Sequence, residues 1–246
     1  MDLLDYYSSD EGSENGTTSG ESIQDTTAES NPGSVTILSS EKMPSDTFDR
    51  TVPHVRGCWA GHIFLSISDC DPEGEWTKHA ADATKRFRVA LEQDGWSGTI
   101  VTHSNLHLSL SRPFFLQAAS IESFHRELQI ALLHVRALVL EVDEVVILSN
   151  DEGTRTFFGW KLADNEYLKH IVCQIDSVML KYQQPVYYSP PVFHVSIASV
   201  RGKPPNCSQH LAEHGAHEAN DSLLFYARKV SCSFGTVNHL DLMLLP

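Results

Sequence analysis

Two short stretches of this chain repeat one pattern, and that repeat limits the folds open to it. They are "LHLSLS" (Leu106–Ser111) and "FHVSIAS" (Phe193–Ser199), and their histidines lie 87 positions apart. Side chains of a strand point to alternate faces. Leu106, Leu108 and Leu110 therefore share one face, packed against a helix, while His107, Ser109 and Ser111 share the other. In the second stretch Phe193, Val195 and Ile197 are expected inside, with His194, Ser196 and Ala198 facing away. Each strand then has an apolar back and a His-x-Ser front. An internal repeat of this kind implies a two-fold arrangement of similar lobes.

The rest of the body alternates between strand and helix patterns. Strands are expected near residues 57–68, over 105–111, in "EVVILSN" and "TRTFFGWKL" around the turn Asp151-Glu152-Gly153, over 192–199, and in two closing segments, "LLFYARKVSCSF" and "VNHLDLMLL". Residues 75–95 read as a helix ended by Gly95. In "SIESFHRELQIALLHVRALVLEV" the residues Ile121, Phe124, Leu128, Leu132, Val135 and Val139 fall at helical spacing. A third helix, capped by Asp164, turns Leu168, Ile171, Val172, Ile175 and Val178 inward. The mixture lacks the βαβ rhythm of a doubly wound sheet, so the expected class is α+β.

Residues 1–50 are a different material, rich in Ser, Thr, Gly and acid. They hold eleven Asp or Glu against two Lys or Arg, a net of −9 that leaves −5 of the chain's −14 for residues 51–246. Such a segment buries too little apolar area to offset its ordering entropy, so we expect a disordered tail over 1–50 and one folded domain over 51–246. The tail reads as dispensable or as an interaction or phosphorylation segment. A body at −5 has no global basic field, which argues against tight, sequence-blind binding to long nucleic acid but leaves room for a pocket taking one or two nucleotides. Residues 1–20 lack the basic start and apolar run of a signal peptide, and no stretch approaches a membrane span. The five cysteines include no CxxC and suit a reducing compartment.

If the two fronts face one groove, two imidazoles and two hydroxyls converge. A His beside a Ser on a half-exposed strand is commonly an ordinary surface pair, and the duplication is what turns the reading toward catalysis. Only two of the thirteen histidines have Ser or Thr two residues on, and both lie in these strands. Imidazole titrates near pH 6.5, so one ring can be neutral and its partner cationic near neutrality. One would take a proton from a nucleophile while the other gives one to the leaving group. On an RNA phosphodiester the nucleophile can be the neighbouring 2′-hydroxyl, giving a 2′,3′-cyclic phosphate without a metal. The serine hydroxyls can hold phosphoryl oxygens.

The two tetrads resemble the His-x-Ser/Thr-x signatures of the 2H phosphoesterase superfamily. Four blocks narrow the likeness: "VPHVRGCWAGHIFL" (52–65), "LHLSLSR" (106–112), "SNDEGTRTFFG" (149–159) and "YYSPPVFHVSIASV" (187–200) resemble, in order, the U6 small nuclear RNA phosphodiesterase family. The resemblance covers roughly residues 50–246. It implies a two-lobed 2H phosphoesterase-like fold with pseudo-two-fold symmetry and antiparallel sheets lining a central groove. It also implies a nuclear 3′-to-5′ exoribonuclease that trims the 3′ oligouridine tail of U6 RNA for splicing. The end left would be a cyclic phosphate or a 3′ phosphate. No cofactor or metal is implied, the partner is RNA and not a membrane, and the enzyme would act as a monomer. By the same resemblance His107 is the proton acceptor, His194 the proton donor, and Ser109 and Ser196 bind phosphate. Tyr188 would stack on a base. Nucleotide contacts would come from Leu108, Asp151, Pro190, Pro191, Val192, Phe193 and Val195. Two positions depart from the family: Asp151 stands where Gln is common and Pro190 where Asp is frequent, which puts a uracil contact at Asp151 in doubt. A cyclic phosphodiesterase of the same superfamily and a non-catalytic RNA-end binder are the alternatives. The histidines of "HLAEHGAH" (His210, His214 and His217) sit in a polar linker and read only weakly as a metal site.

Overall fold

In the computed structural model the described residues are 55–71, 73–204, 223–235 and 238–246. The tail expected over 1–50 and the linker carrying His210, His214 and His217 lie outside them. Among the described residues ten strands and three helices of at least fourteen residues follow in chain order. They are β1 (Cys58–Ser66), α1 (Glu75–Gln93), β2 (Ile100–Thr102), β3 (His107–Ser109), β4 (Phe114–Gln117), α2 (Ala118–Ala131), β5 (Leu138–Ser149), β6 (Arg155–Leu162), α3 (Glu166–Lys181), β7 (His194–Arg201), β8 (Leu224–Ala227), β9 (Lys229–Phe234) and β10 (Asn238–Met243). The class is α+β, as expected.

The strands run in the order β10-β9-β1-β3-β7-β6-β5-β8, with β4 added beside β1 and β2 beside β7. Every strand pairing in this sheet is antiparallel. The two motif strands lie at its middle, and the halves around them correspond in register. In the first half β1 pairs β3 with Ser66 opposite His107, Leu65 opposite Leu108 and Phe64 opposite Ser109. In the second, β6 pairs β7 with Lys161 opposite His194, Trp160 opposite Val195 and Gly159 opposite Ser196. A helix joins the paired strands in each half, α1 between β1 and β3 and α3 between β6 and β7. The expected two-fold relation of the lobes is thus written in backbone pairing.

The helices lock the halves together. From α1, Trp76 packs edge-on to Trp160 of β6 with centroids 5.5 Å apart, and Phe87 stacks on Phe158 at 5.0 Å. The helix that leaves the first half thus packs beneath the second. Phe124 of α2 meets Phe114, Phe234 and Tyr182, which joins β4, β9 and the end of α3. Leu106, Leu108, Leu110, Val195 and Ile197 are all essentially inaccessible. Burying an aliphatic side chain of this size is worth about 1.5–3 kcal/mol relative to exposure. The back of the motif strands is therefore fixed, and the front is free to carry chemistry.

Local signals explain where elements stop. Gly95 takes φ +77°, and its N–H bonds the Glu92 carbonyl while that of Trp96 bonds Leu91, a double closure that ends α1. The third helix is capped by Asn165, whose side chain accepts from the Leu168 N–H, and not by Asp164, which pairs with Lys169. The long helical pattern after Ser120 also breaks earlier than its spacing suggests. The helix α2 ends at Ala131, and Val139 is an exposed strand residue. From Leu138 the period becomes two, with Leu138 and Leu140 buried and Val139 and Glu141 exposed, and these residues pair with β8. The first closing segment divides at Arg228 into β8, beside β5, and β9, beside β1, so its parts serve opposite halves. Ala198 is fully buried where an open face was expected. Gly159 pairs with Ser196 and Phe158 with Ala198, so Ile197 bulges and the alternation of β7 breaks there.

Candidate active site

The groove is built where β3 meets β7. Leu108 lies opposite Val195 in an antiparallel pair. Continued one step each way, that register sets His107 across from Ser196 and Ser109 across from His194. Residues opposite each other share a face, with diagonal neighbours roughly 7–8 Å apart. Leu108 and Val195 point into the core, and the four flanking side chains are only partly buried. The fold therefore brings His107, Ser109, His194 and Ser196 onto one face, as their spacing predicted.

The two histidines are held in the same way. His107 Nδ1 lies 3.0 Å from the Asn105 carbonyl oxygen, and His194 Nδ1 lies 2.9 Å from that of Val192. A carbonyl only accepts, so Nδ1 is the donor in each ring. That leaves Nε2 as the nitrogen whose proton comes and goes. Burial lowers the pKa of His194, charge on His107 lowers it further, and the Val192 carbonyl opposes both. Charge on His107 thus disfavours protonating His194, and burial favours its neutral form.

The sequence pattern did not single out the neighbours of these residues on β1. His62, Phe64 and Ser66 share the groove face, because they alternate with Ile63 and Leu65 in the core. His62 is 5 % exposed, its Nε2 lies 3.0 Å from Ser109 Oγ, and its ring stacks on Phe64 at 5.2 Å and meets His107 edge-on at 5.2 Å. Burial first, then charge on His107, pushes its pKa well down, so His62 is neutral. Parity along "HIFLS" is the signal that marks it. On β6, Gly159 and Lys161 take the corresponding places. A Cβ on Gly159 would lie 2.5 Å from the Val195 carbonyl oxygen, so only glycine allows β6 to approach the second motif this closely. Lys161 is drawn to Glu144 and Asp143, which raise its pKa. A second buried histidine, His103, lies 3.2 Å from Ser199 Oγ, and burial pushes its pKa down to about 3.

The expected nucleotide contacts divide in two. Leu108, Val195 and Phe193 are buried, so their side chains face away from the groove and only their backbone can meet a ligand. Phe193 instead stacks on Tyr187 at 5.5 Å, and Tyr187 meets Tyr188 edge-on at 5.7 Å. Tyr188, Pro190 and Pro191 are exposed and Val192 is half-buried. Asp151 accepts a 2.7 Å hydrogen bond from Arg112 Nη2, and the Arg112 guanidinium lies 4.7 Å over the Tyr188 ring. The structure therefore gives Asp151 an ion pair where a base contact had been in doubt. Among the described residues no group of three His, Cys, Asp or Glu is placed to hold a metal ion. The arrangement can accept one proton and donate another across a small volume beside two hydroxyls.

Comparison with known proteins shows a family and a shared fold. Residues 26–240 match the family HVSL, described as an uncharacterised conserved protein. The chain is 34 % identical over 150 residues to U6 snRNA phosphodiesterase 1 of Drosophila melanogaster, covering 60 % of this chain and 55 % of that protein. It is 28 % identical over 200 residues to the protein of that name from Rattus norvegicus, covering 76 % and 69 %. The chain thus spans between about half and two-thirds of the length of these curated relatives. Among solved structures, Kluyveromyces marxianus Usb1 with uridine monophosphate superposes with a TM-score of 0.58 at 14 % identity, over 75 % of this chain and 98 % of that one. A second structure of that protein gives 0.55 at 16 %. The folds are shared.

Proposed function

This chain belongs to the HVSL family, and from that premise we propose that it is an RNA phosphodiesterase, a 3′-to-5′ exoribonuclease acting on the oligouridine end of U6 snRNA in the nucleus. The observation that carries the reading is the matched pair of histidines on one open face, each with Nδ1 on the carbonyl two residues before it. The relatives' names supply the substrate class.

In the proposed reaction a neutral imidazole takes the proton of the 2′-hydroxyl next to the scissile phosphate. That oxygen attacks phosphorus, the bond to the 5′-oxygen of the terminal nucleotide breaks, and the second imidazole protonates the leaving oxygen. A 2′,3′-cyclic phosphate remains, and the histidine pair ends with the same number of protons as it began. The lowered pKa of His194 supports it as the acceptor and His107 as the donor in this direction. Ser109 and Ser196 donate to the non-bridging oxygens. His62, if protonated at Nε2, bonds Ser109 Oγ as a donor and leaves the serine hydrogen to the phosphate.

The test is single-turnover trimming of a 3′-oligouridine RNA, with the products weighed by mass spectrometry. His107→Ala and His194→Ala are each expected to lose about 10²–10⁴-fold, the usual cost of a positioned acid or base, with the fold intact. The double variant should be little worse than the poorer single one, because coupled groups are not additive. Near-normal trimming by either folded single variant overturns the two-histidine mechanism. A variant chain that still binds the RNA but whose wild-type parent never cleaves it would favour an RNA-end binder.

A further inference from the structure

From Phe193, the residue before His194, runs a chain of planar groups whose outermost member is not aromatic. Phe193 stacks on Tyr187, Tyr187 meets the edge of Tyr188, and the Arg112 guanidinium covers the Tyr188 ring at 4.7 Å from its centroid. Arg112 follows the first motif directly, anchored through Leu110 and Ser111, which are both buried. Tyr188 precedes the second motif, and Asp151 sits in the turn between β5 and β6. The Arg112 bridge to Tyr188 and Asp151 therefore joins segments of the two halves.

We propose that Arg112 supplies a stacking surface for a nucleobase of the bound RNA, one layer outside Tyr188. The inference rests on the RNA reading above. A guanidinium is flat and offers two faces and an edge. Here Cζ lies over the Tyr188 ring and Nη2 donates to Asp151 at 2.7 Å. The side chain is still 36 % exposed, which leaves the outward face for a ligand. Tyr188 is covered on one side by this group, so a base arriving from that side meets Arg112 first. Asp151 also settles which ligand chemistry is favoured. Its carboxylate compensates the guanidinium charge and weakens attraction to a phosphate, while the plane is untouched. Bases stack on guanidinium planes as they do on aromatic rings, with little regard to sequence.

The experiment is an anisotropy titration of a labelled RNA with an oligouridine 3′ end against the full chain at several salt concentrations. Arg112→Ala should weaken binding about 5- to 150-fold, the range stacking of one base covers, without changing the slope of log Kd against log salt. Arg112→Lys keeps the charge and loses the plane, so it should bind as poorly as the alanine variant. Arg112→Gln keeps a planar amide without charge and should recover part of the loss. Wild-type binding by Arg112→Lys, or a salt slope reduced by about one in Arg112→Ala, would show a phosphate contact and overturn the proposal. Unchanged affinity in Arg112→Ala overturns it as well. If the wild-type chain fails to bind the RNA at all, the RNA reading falls together with this inference, whereas indifference confined to Arg112 variants removes only the inference.

Discussion

Replacing Gly159 by alanine should damage activity more than stability. The added Cβ lands 2.5 Å from the Val195 carbonyl oxygen and 3.3 Å from the Ser196 Cα, where ordinary contact begins near 3.4 Å. Both neighbours are backbone, so no flexible side chain can swing away. The strand β7 must yield by the shortfall, 3.4 less 2.5, or about 0.9 Å. Overpacking of this kind costs about 1–3 kcal/mol. A domain with about 5–15 kcal/mol of stability stays folded after such a loss. The displaced segment, however, carries His194 and Ser196, and a misplacement of about 1 Å at reacting groups can cost roughly 10²-fold in rate. Circular dichroism and thermal unfolding measure the first effect, and single-turnover trimming of a 3′-oligouridine RNA the second. A folded Gly159→Ala variant with the wild-type rate would refute the claim that close approach of β6 positions the second motif.

Other perturbations separate the remaining roles. His62→Phe keeps a ring against Phe64 and His107 but deletes the 3.0 Å contact to Ser109. Trimming should slow by about 2- to 10-fold, the worth of one net hydrogen bond, and a loss as large as that of His107→Ala would make His62 a proton carrier in its own right. Stability should fall as the medium is acidified. His103 has a folded pKa of about 3 against 6.5 ordinarily, so between those values the unfolded chain binds the extra proton. Its contribution is complete above about pH 6.5 and is lost as pH falls toward 3; between pH 7.5 and 5 the loss is about 2 kcal/mol. His62 and His194, also lowered, act in the same direction. Denaturant titrations at the two pH values check this, and a His103→Phe variant with an undiminished pH slope would contradict the assignment.

The motifs were legible in the sequence because strand parity needs no tertiary knowledge. An apolar residue at every second position identified the back of β3 and β7, and the residues between had to face outward. Where tertiary pairing intervened, parity failed. Ala198 is buried because Ile197 bulges, and nothing local announces that bulge. Val139 fits a helical spacing and yet lies on a strand, because pairing with β8 outweighs a pattern shared by both periods. The role of His62 was hidden for another reason, although parity places it on the groove face. Its partner Ser109 is 47 residues away, and only the β1–β3 register brings them together. Arg112 and Asp151 likewise meet across 39 residues. Long-range polar contacts of this kind come from the fold and leave no mark on either local segment.

The measurement that bears most directly on the account uses a change in the substrate. A 3′-oligouridine RNA is prepared with a single 2′-deoxynucleotide on the 5′ side of the terminal phosphodiester, and its turnover is compared with that of the all-ribose RNA. The nucleophile proposed for the histidine pair is then missing while charge, bases and length are kept. The all-ribose RNA should lose its terminal nucleotide and gain a mass matching a 2′,3′-cyclic phosphate, or the 3′ phosphate formed by opening it. The deoxy-substituted RNA should stay intact. Release of the terminal nucleotide from the deoxy-substituted RNA at a comparable rate would contradict attack by the 2′-hydroxyl, and with it the role given to His107 and His194.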